Sequence, residues 1–166
     1  MKYATLKLND IANAPGISVS LFVQGCPHHC RGCFNPDTWS FEGGKEFTTE
    51  ILNQILENLH ANNIDRNFCV LGGEPLCAEN TFLTYMVIKE VKEKSPNTKI
   101  YVWTGYTFEE LLAHPPHTKT KSILQMVVVL IDGPYIESLR DLSLPMRGSS
   151  NQSVINLREK RNGRNL

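Results

Sequence analysis

The sequence has no excess charge of either sign and no long apolar segment. Seventeen Lys and Arg residues balance seventeen Asp and Glu residues, so no net field attracts the chain to nucleic acid or to an anionic membrane. No stretch approaches the roughly 18 apolar residues of a membrane span, and residues 1–7 lack the apolar run of a signal peptide. We therefore expect no nucleic-acid or membrane partner and a cytoplasmic location.

The number of cysteines is odd, and the sequence also lacks internal repeats and low-complexity tracts. Three of its five cysteines fall between positions 26 and 33, and nothing indicates secretion, so a disulfide framework does not explain them. Metal binding or redox chemistry is the better interpretation. We predict a single domain over residues 1–166, with the polar segment 160–166 as a frayed tail.

Apolar runs and helical periodicities alternate along the chain. Continuous apolar runs predict strands at 19–23, 68–71, 99–103 and 126–131. Helical spacing predicts helices after Thr49, over Phe82 to Val91, and after a capping box at Thr107 and Glu110. The predicted apolar face of the second helix comprises Phe82, Leu83, Met86, Val87 and Val91.

This alternation predicts an α/β fold with a mostly parallel sheet covered by helices. Four or five such units are too few for a closed barrel of about 250 residues. We therefore predict an open, partial β/α (TIM-like) barrel. Ligands of such sheets bind at the carboxyl ends of the strands, where Cys26, Gly72, Thr104 and Asp132 fall.

Cys26, Cys30 and Cys33 form a CxxxCxxC loop directly after the first predicted strand. Thiolates are the preferred ligands of cluster iron, and a 4Fe-4S cubane with three protein ligands keeps one iron open. A structural zinc site with His28 or His29 as fourth ligand is an alternative. A thioredoxin-like pair would leave Cys26 unexplained.

Two further features lie in or directly after the second predicted strand. Gly72-Gly73-Glu74-Pro75 follows it, and the glycines would let backbone groups approach a ligand closely. The alternative is a tight strand-to-helix turn with an exposed acid. Cys69 and Cys77 lie away from the cysteine loop, and we predict that both are reduced packing residues.

The CxxxCxxC loop together with Gly72-Gly73-Glu74-Pro75 resembles the radical S-adenosylmethionine (SAM) superfamily. Three more segments, at 33–39, 103–111 and 147–152, are similar to the family of activating proteins of anaerobic ribonucleoside-triphosphate reductase. The likeness runs from about Tyr3 to Leu157.

This resemblance implies an oxidoreductase with one 4Fe-4S cluster and SAM as cofactors. Reductive cleavage of SAM would give methionine and a 5′-deoxyadenosyl radical, which would create a glycyl radical on the reductase's large subunit. The resemblance further implies a heterotetramer with two copies of each protein, and a low-potential electron donor such as flavodoxin. Activation of another glycyl-radical enzyme, such as pyruvate formate-lyase, and a non-enzymatic, zinc-stabilised binding module remain alternatives.

The resemblance also implies residue roles. Cys26, Cys30 and Cys33 would be the catalytic cluster ligands. The SAM contacts would come from Gly72, Gly73 and Glu74 at the methionyl end, and from Gly32, Cys33 and Phe34 near the adenine. Roles for Thr104, Asp132, Ser149, Ser150 and Asn151 stay open, as does packing of Phe34 on the first strand. Because exposed aromatic side chains favour interfaces, we also name four candidates for a docking surface, each with core packing as the alternative role: Trp39, Phe41, Tyr106 and Tyr135.

Overall fold

The computed structural model describes residues 2–163, and its strands join in one sheet. The strands are β1 (Lys2–Asp10), β2 (Ser18–Val23), β3 (Lys45–Glu46), β4 (Asn67–Gly72), β5 (Ile100–Trp103), β6 (Val129–Asp132) and β7 (Ser153–Asn156). The α-helices are α1 (Thr49–Asn58), α2 (Thr81–Lys94), α3 (Phe108–Ala113), α4 (Thr120–Met126) and α5 (Leu157–Gly163).

The sheet is mixed, with its parallel part in the middle. Its order is β3-β1-β2-β4-β5-β6-β7, in which β2, β4, β5 and β6 are parallel neighbours. Strands β1 and β3 add antiparallel pairs at one side and β7 adds one at the other. The α/β class is confirmed, and the sheet is open as predicted. The TIM-like partial barrel is not confirmed, because the sheet ends in antiparallel strands on both sides.

The helices pack against one face of this sheet. Each parallel strand is added on the same side of its predecessor, and crossovers of one hand then place every connecting helix on the same face. The large core between helices and sheet includes Leu21, Phe68, Val102, Ile55, Val87 and Ile123. A smaller cluster on the other face includes Phe22, Cys69, Leu71 and Tyr101, and none of its described members comes from a helix. That face is therefore free to carry a cavity.

Helix α2 buries Leu83, Val87 and Val91 of its predicted apolar face, but not Phe82 and Met86. Phe82 and Met86 are 46% and 37% exposed. The buried stripe instead contains Thr84 and Ile88 beside Leu83, Val87 and Val91. Apolar periodicity missed Thr84 because threonine is polar. Its hydroxyl donates to the Pro75 carbonyl at 2.9 Å, and this hydrogen bond allows the side chain to be buried.

The predicted fourth strand is shifted and shortened. Residues up to Met126 belong to helix α4, and the strand covers only Val129–Asp132. Strands β1, β3 and β7 were not predicted, although half-buried and exposed positions alternate along β1 from Ala4 to Asn9. In the segment 160–166, predicted to fray, the first four residues continue α5 and the last three lie outside the described residues. Within residues 2–163, no helix is long and apolar enough to cross a bilayer.

Candidate metal centre

The loop that carries the three cysteines begins where β2 ends and returns to the same place. Gly25 has φ +96° and donates its N–H to the Thr38 carbonyl at 2.8 Å. The Cys26 N–H donates to the Trp39 carbonyl at 3.0 Å. Residues 26–38 therefore form a closed loop at the carboxyl end of β2.

The three thiols of this loop are reduced, half-buried and line one cavity. The Cys33 N–H donates to the Cys30 carbonyl at 3.1 Å, in a tight turn that requires φ +71° at Gly32. Among residues 2–163, no group of three or more His, Cys, Asp or Glu side chains is already arranged to hold a metal ion.

Burial changes the acidity of these thiols. Loss of hydration raises the pKa of Cys26 to about 11, and the nearby Glu74 charge adds to the effect. Burial also raises the pKa of Cys30. At neutral pH the metal-free thiols of Cys26 and Cys30 are therefore protonated, and binding a metal releases their protons.

The cavity has a volume of about 630 Å³, within the range of roughly 300–1,000 Å³ that small-molecule sites occupy. Phe22, Leu71 and Trp103 contribute apolar lining from the sheet face that the helices leave open. Most of the other lining residues come from the cysteine loop, the ends of β4 and β5, and segment 142–152. The cavity is thus large enough for a cofactor of a few hundred daltons beside the thiols.

The second sequence motif lies directly against the cysteine loop. Gly72 has φ +103°, and the Gly73 N–H donates to the Val23 carbonyl at 2.9 Å. The Glu74 N–H donates to the Gly25 carbonyl at 2.8 Å. A Cβ atom on Gly73 would overlap the same Gly25 carbonyl oxygen. The two motifs therefore meet through backbone contacts that exclude any larger residue at position 73.

The Glu74 carboxylate is buried, and groups of the protein itself already fill its acceptor positions. One oxygen accepts hydrogen bonds from the Leu76 N–H and the Thr104 hydroxyl, both at 2.8 Å. The other accepts from the Gly105 N–H at 2.6 Å and pairs with His28 Nε2 at 2.9 Å. Since a carboxylate offers about four acceptor sites, a direct bond to a ligand's ammonium group requires one of these donors to give way. The alternative of an exposed acid is wrong, because Glu74 is 1% exposed.

Phe34 lies at the cavity, beside Tyr135 and Arg140. Its ring is 53% exposed and sits 5.1 Å from the Tyr135 ring, with the Arg140 guanidinium 5.5 Å from its centroid. The neighbouring Gly32 approaches Glu137, whose Oε1 would lie 2.7 Å from an added Cβ atom. Segment 135–140 therefore lies against the end of the cysteine loop.

The polar residues left open by the sequence have intramolecular partners. Thr104 bonds to Glu74, as described. Asp132 accepts the Phe108 N–H at 2.7 Å, at the start of α3, and the Ser153 N–H at 3.2 Å. Segment 149–151 forms a turn: the Ser149 hydroxyl accepts from the Ile136 N–H, the Ser150 N–H donates to the Leu139 carbonyl, and the Asn151 side chain donates to the Pro134 carbonyl. Of these five residues, only Thr104 lines the cavity.

Several cavity residues were missed by the sequence reasoning. Lys7, Met146 and Arg147 line the cavity, and Trp103 Nε1 donates to the Met146 carbonyl at 2.7 Å. Trp103 and Arg147 lie in segments that carried the family resemblance, so a signal was present. His28 was considered only as a zinc ligand, whereas its Nε2 faces Glu74.

The remaining cysteines and aromatic residues take simpler positions. Cys69 and Cys77 are free and at most 1% exposed, which confirms their prediction as reduced packing residues. The four aromatic candidates for a docking surface, Trp39, Phe41, Tyr106 and Tyr135, are all half-buried. Their use as a docking surface stays a prediction.

A cysteine loop at a strand end, beside a cavity, defines the class of protein. Residues 12–155 match the model of the 4Fe-4S single cluster domain, and the chain belongs to that family of iron-sulfur proteins. The donor set fits a 4Fe-4S cluster because the loop supplies three thiols, the ligand that cluster iron prefers. A closed zinc site would have to draw its fourth ligand from His28, which pairs with Glu74, or from His29, which stacks on Trp39.

Similarity to curated proteins identifies a more specific family within this group of iron-sulfur proteins. The chain is 39% identical over 150 residues to the anaerobic ribonucleoside-triphosphate reductase-activating protein of Escherichia coli K12, covering 90% of this chain and 94% of that protein. It is 41% identical over 155 residues to the protein of the same name from Pasteurella multocida, covering 93% and 96%. The phage T4 protein of that name is 36% identical over 154 residues, 93% of each chain. The chain belongs to the anaerobic ribonucleoside-triphosphate reductase-activating protein family.

Proposed function

We propose that this protein activates anaerobic ribonucleoside-triphosphate reductase by generating a glycyl radical on its large subunit. The observation that carries the proposal is that three free cysteines of one loop share a cavity with the Gly72-Gly73 turn. When bound, the cluster supplies the electron that splits SAM into methionine and a 5′-deoxyadenosyl radical, which takes a hydrogen atom from the reductase's glycine. The protein's residues bind, orient and enclose these groups.

Cys26, Cys30 and Cys33 would hold the cluster. All three line the cavity, so a cluster bound by them faces the space in which a small molecule can sit. With three thiolates for four irons, one coordination position stays available to SAM. The raised pKa of Cys26, about 11, means that its thiol gives up a proton when the cluster assembles.

Gly72 and Gly73 would bind the methionyl end of SAM through their backbone. Both line the cavity and lie against the base of the cysteine loop. Glu74 is the one acidic side chain among the described lining residues, and its charge favours an ammonium group beside it. Gly32, Cys33 and Phe34 would face the adenine, with the exposed Phe34 ring available for stacking.

The protein substrate would reach the radical from the open side of the sheet. The large subunit of the reductase would present its glycine loop there, in a heterotetramer with two copies of each protein. A low-potential donor such as flavodoxin would supply the electron, and the reaction would take place in the cytoplasm. Pyruvate formate-lyase is the less favoured target, since the relatives described above are all named for the reductase.

The proposal is tested by anaerobic incubation of the reconstituted, dithionite-reduced protein with SAM. We expect 5′-deoxyadenosine by chromatography. After addition of the large subunit, we also expect a glycyl-radical signal by electron paramagnetic resonance. Pyruvate formate-lyase in place of the large subunit is the control for target choice. A colourless protein with one zinc and no 5′-deoxyadenosine would contradict the proposal and favour the binding module.

A further inference from the structure

His28 belongs to the cysteine loop, but its side chain contacts the ends of β4 and β5. Its Nε2 pairs with Glu74 Oε2 at 2.9 Å, and this hydrogen bond raises the pKa of His28. Its ring meets the Tyr106 ring edge to face, with 4.7 Å between centroids. The histidine side chain therefore links the loop to the sheet.

The sheet side of this contact is rigid. Besides His28, Glu74 accepts hydrogen bonds from Leu76, Thr104 and Gly105, which hold the carboxylate in one orientation. Gly105 also makes room for the imidazole, because a Cβ atom there would lie 2.5 Å from His28 Cδ2. The imidazole therefore binds to a prebuilt site.

The adjacent histidine provides an internal comparison. His29 is exposed, has φ 48° and stacks on Trp39, with 4.9 Å between ring centroids. Trp39 lies at the far end of the same loop. Substitution of His29 therefore changes a contact at the loop's own base and leaves the contact with Glu74 in place.

We propose that His28 is a positioning residue that holds the cysteine loop against the sheet through Glu74. Cys26 and Cys30 lie on either side of it, so fixing its ring restricts how far these two thiols can separate. The inference rests on the proposed function only in that the thiols bind a cluster; the anchoring of the loop is a property of the metal-free chain. Groups that orient metal ligands in this way typically change metal affinity by about 10–100-fold when removed.

Loop anchoring is tested first without metal, by trypsin cleavage after Arg31, whose side chain is 93% exposed. His28→Ala is expected to raise the cleavage rate about tenfold, the change expected for losing one hydrogen bond to a charged group. His29→Ala is the matched control. His28→Gln, which keeps an N–H donor for Glu74, is expected to restore part of the protection.

The same variants are then reconstituted and challenged with an iron chelator. His28→Ala is expected to lose iron about tenfold faster than wild type and to broaden the signal of the reduced cluster in electron paramagnetic resonance. If His28→Ala equals His29→Ala in the cleavage rate or in the rate of iron loss, the inference is wrong. Wild type that takes up no iron would instead contradict the proposed function, and the cleavage rates alone would then decide whether His28 anchors the loop.

Discussion

Cys30→Ala is expected to abolish both the cluster and SAM cleavage. Cys30 is the middle of the three thiols and lies in the turn that positions Cys33, whose N–H donates to its carbonyl. Two thiols from the loop cannot complete the site, and alanine offers no ligand. Iron should fall from about four per chain to near zero, and 5′-deoxyadenosine should become undetectable. Iron and sulfide analysis of anaerobically reconstituted protein, followed by chromatography, measures both quantities.

Cys69→Ala is the matched control for this experiment. Cys69 is fully buried in the smaller apolar cluster, away from the cysteine loop. Its substitution should cost about 1 kcal/mol of stability and leave the iron content unchanged. Full iron in Cys30→Ala, or equal losses of iron in both variants, would contradict the assignment of Cys30 as a cluster ligand.

Gly73→Ala is expected to damage the site while the three cysteines remain. A Cβ atom on residue 73 would overlap the Gly25 carbonyl oxygen, a backbone atom that cannot swing away like a flexible side chain. The base of the cysteine loop must move, and such overpacking typically costs about 1–3 kcal/mol. We expect a lower melting temperature, incomplete cluster loading and at least about tenfold weaker SAM binding, since a shifted backbone at residue 73 would lose the contact that we propose it makes with the charged methionyl end of SAM. Calorimetry and equilibrium binding measure these changes.

Gly16→Ala separates this steric effect from simple loss of a glycine. Gly16 has φ +79°, but an added Cβ atom there meets no atom within 4 Å. It should cost about 1 kcal/mol because of the left-handed backbone, with normal cluster loading and normal SAM binding. SAM binding reduced equally in both variants would argue against a specific role for Gly73.

Local patterns along the sequence predicted the central elements of the fold. The four parallel strands were each at least partly predicted, because buried parallel strands are continuous apolar runs. The capping box at Thr107 and Glu110 is present, since it depends only on residues three positions apart. Strands β1 and β7 were missed, and their antiparallel pairing with distant partners is part of what distinguishes the observed sheet from the predicted barrel.

The chemistry of the candidate site was apparent before its geometry. The spacing of Cys26, Cys30 and Cys33 predicts a shared metal because one short loop can wrap around one centre. The proximity of Gly73 to Gly25 follows from the parallel pairing of β2 with β4, whose carboxyl ends meet at one edge. The sequence predicted only that both motifs lie at carboxyl ends of strands, and the structure adds the strand pairing and the backbone hydrogen bonds between them.

The amino-acid sequence alone determined the α/β class and the family and indicated the candidate cluster ligands, because these depend on residue type and on short-range spacing. Only the tertiary structure decided the antiparallel strands that flank the sheet, the choice of buried residues in α2 and the surroundings of Glu74. The partners of that carboxylate, His28, Thr104 and Gly105, lie 30 or more positions away from it. Which donors reach a buried carboxylate depends on how strands pack side by side, and no local sequence pattern contains that information.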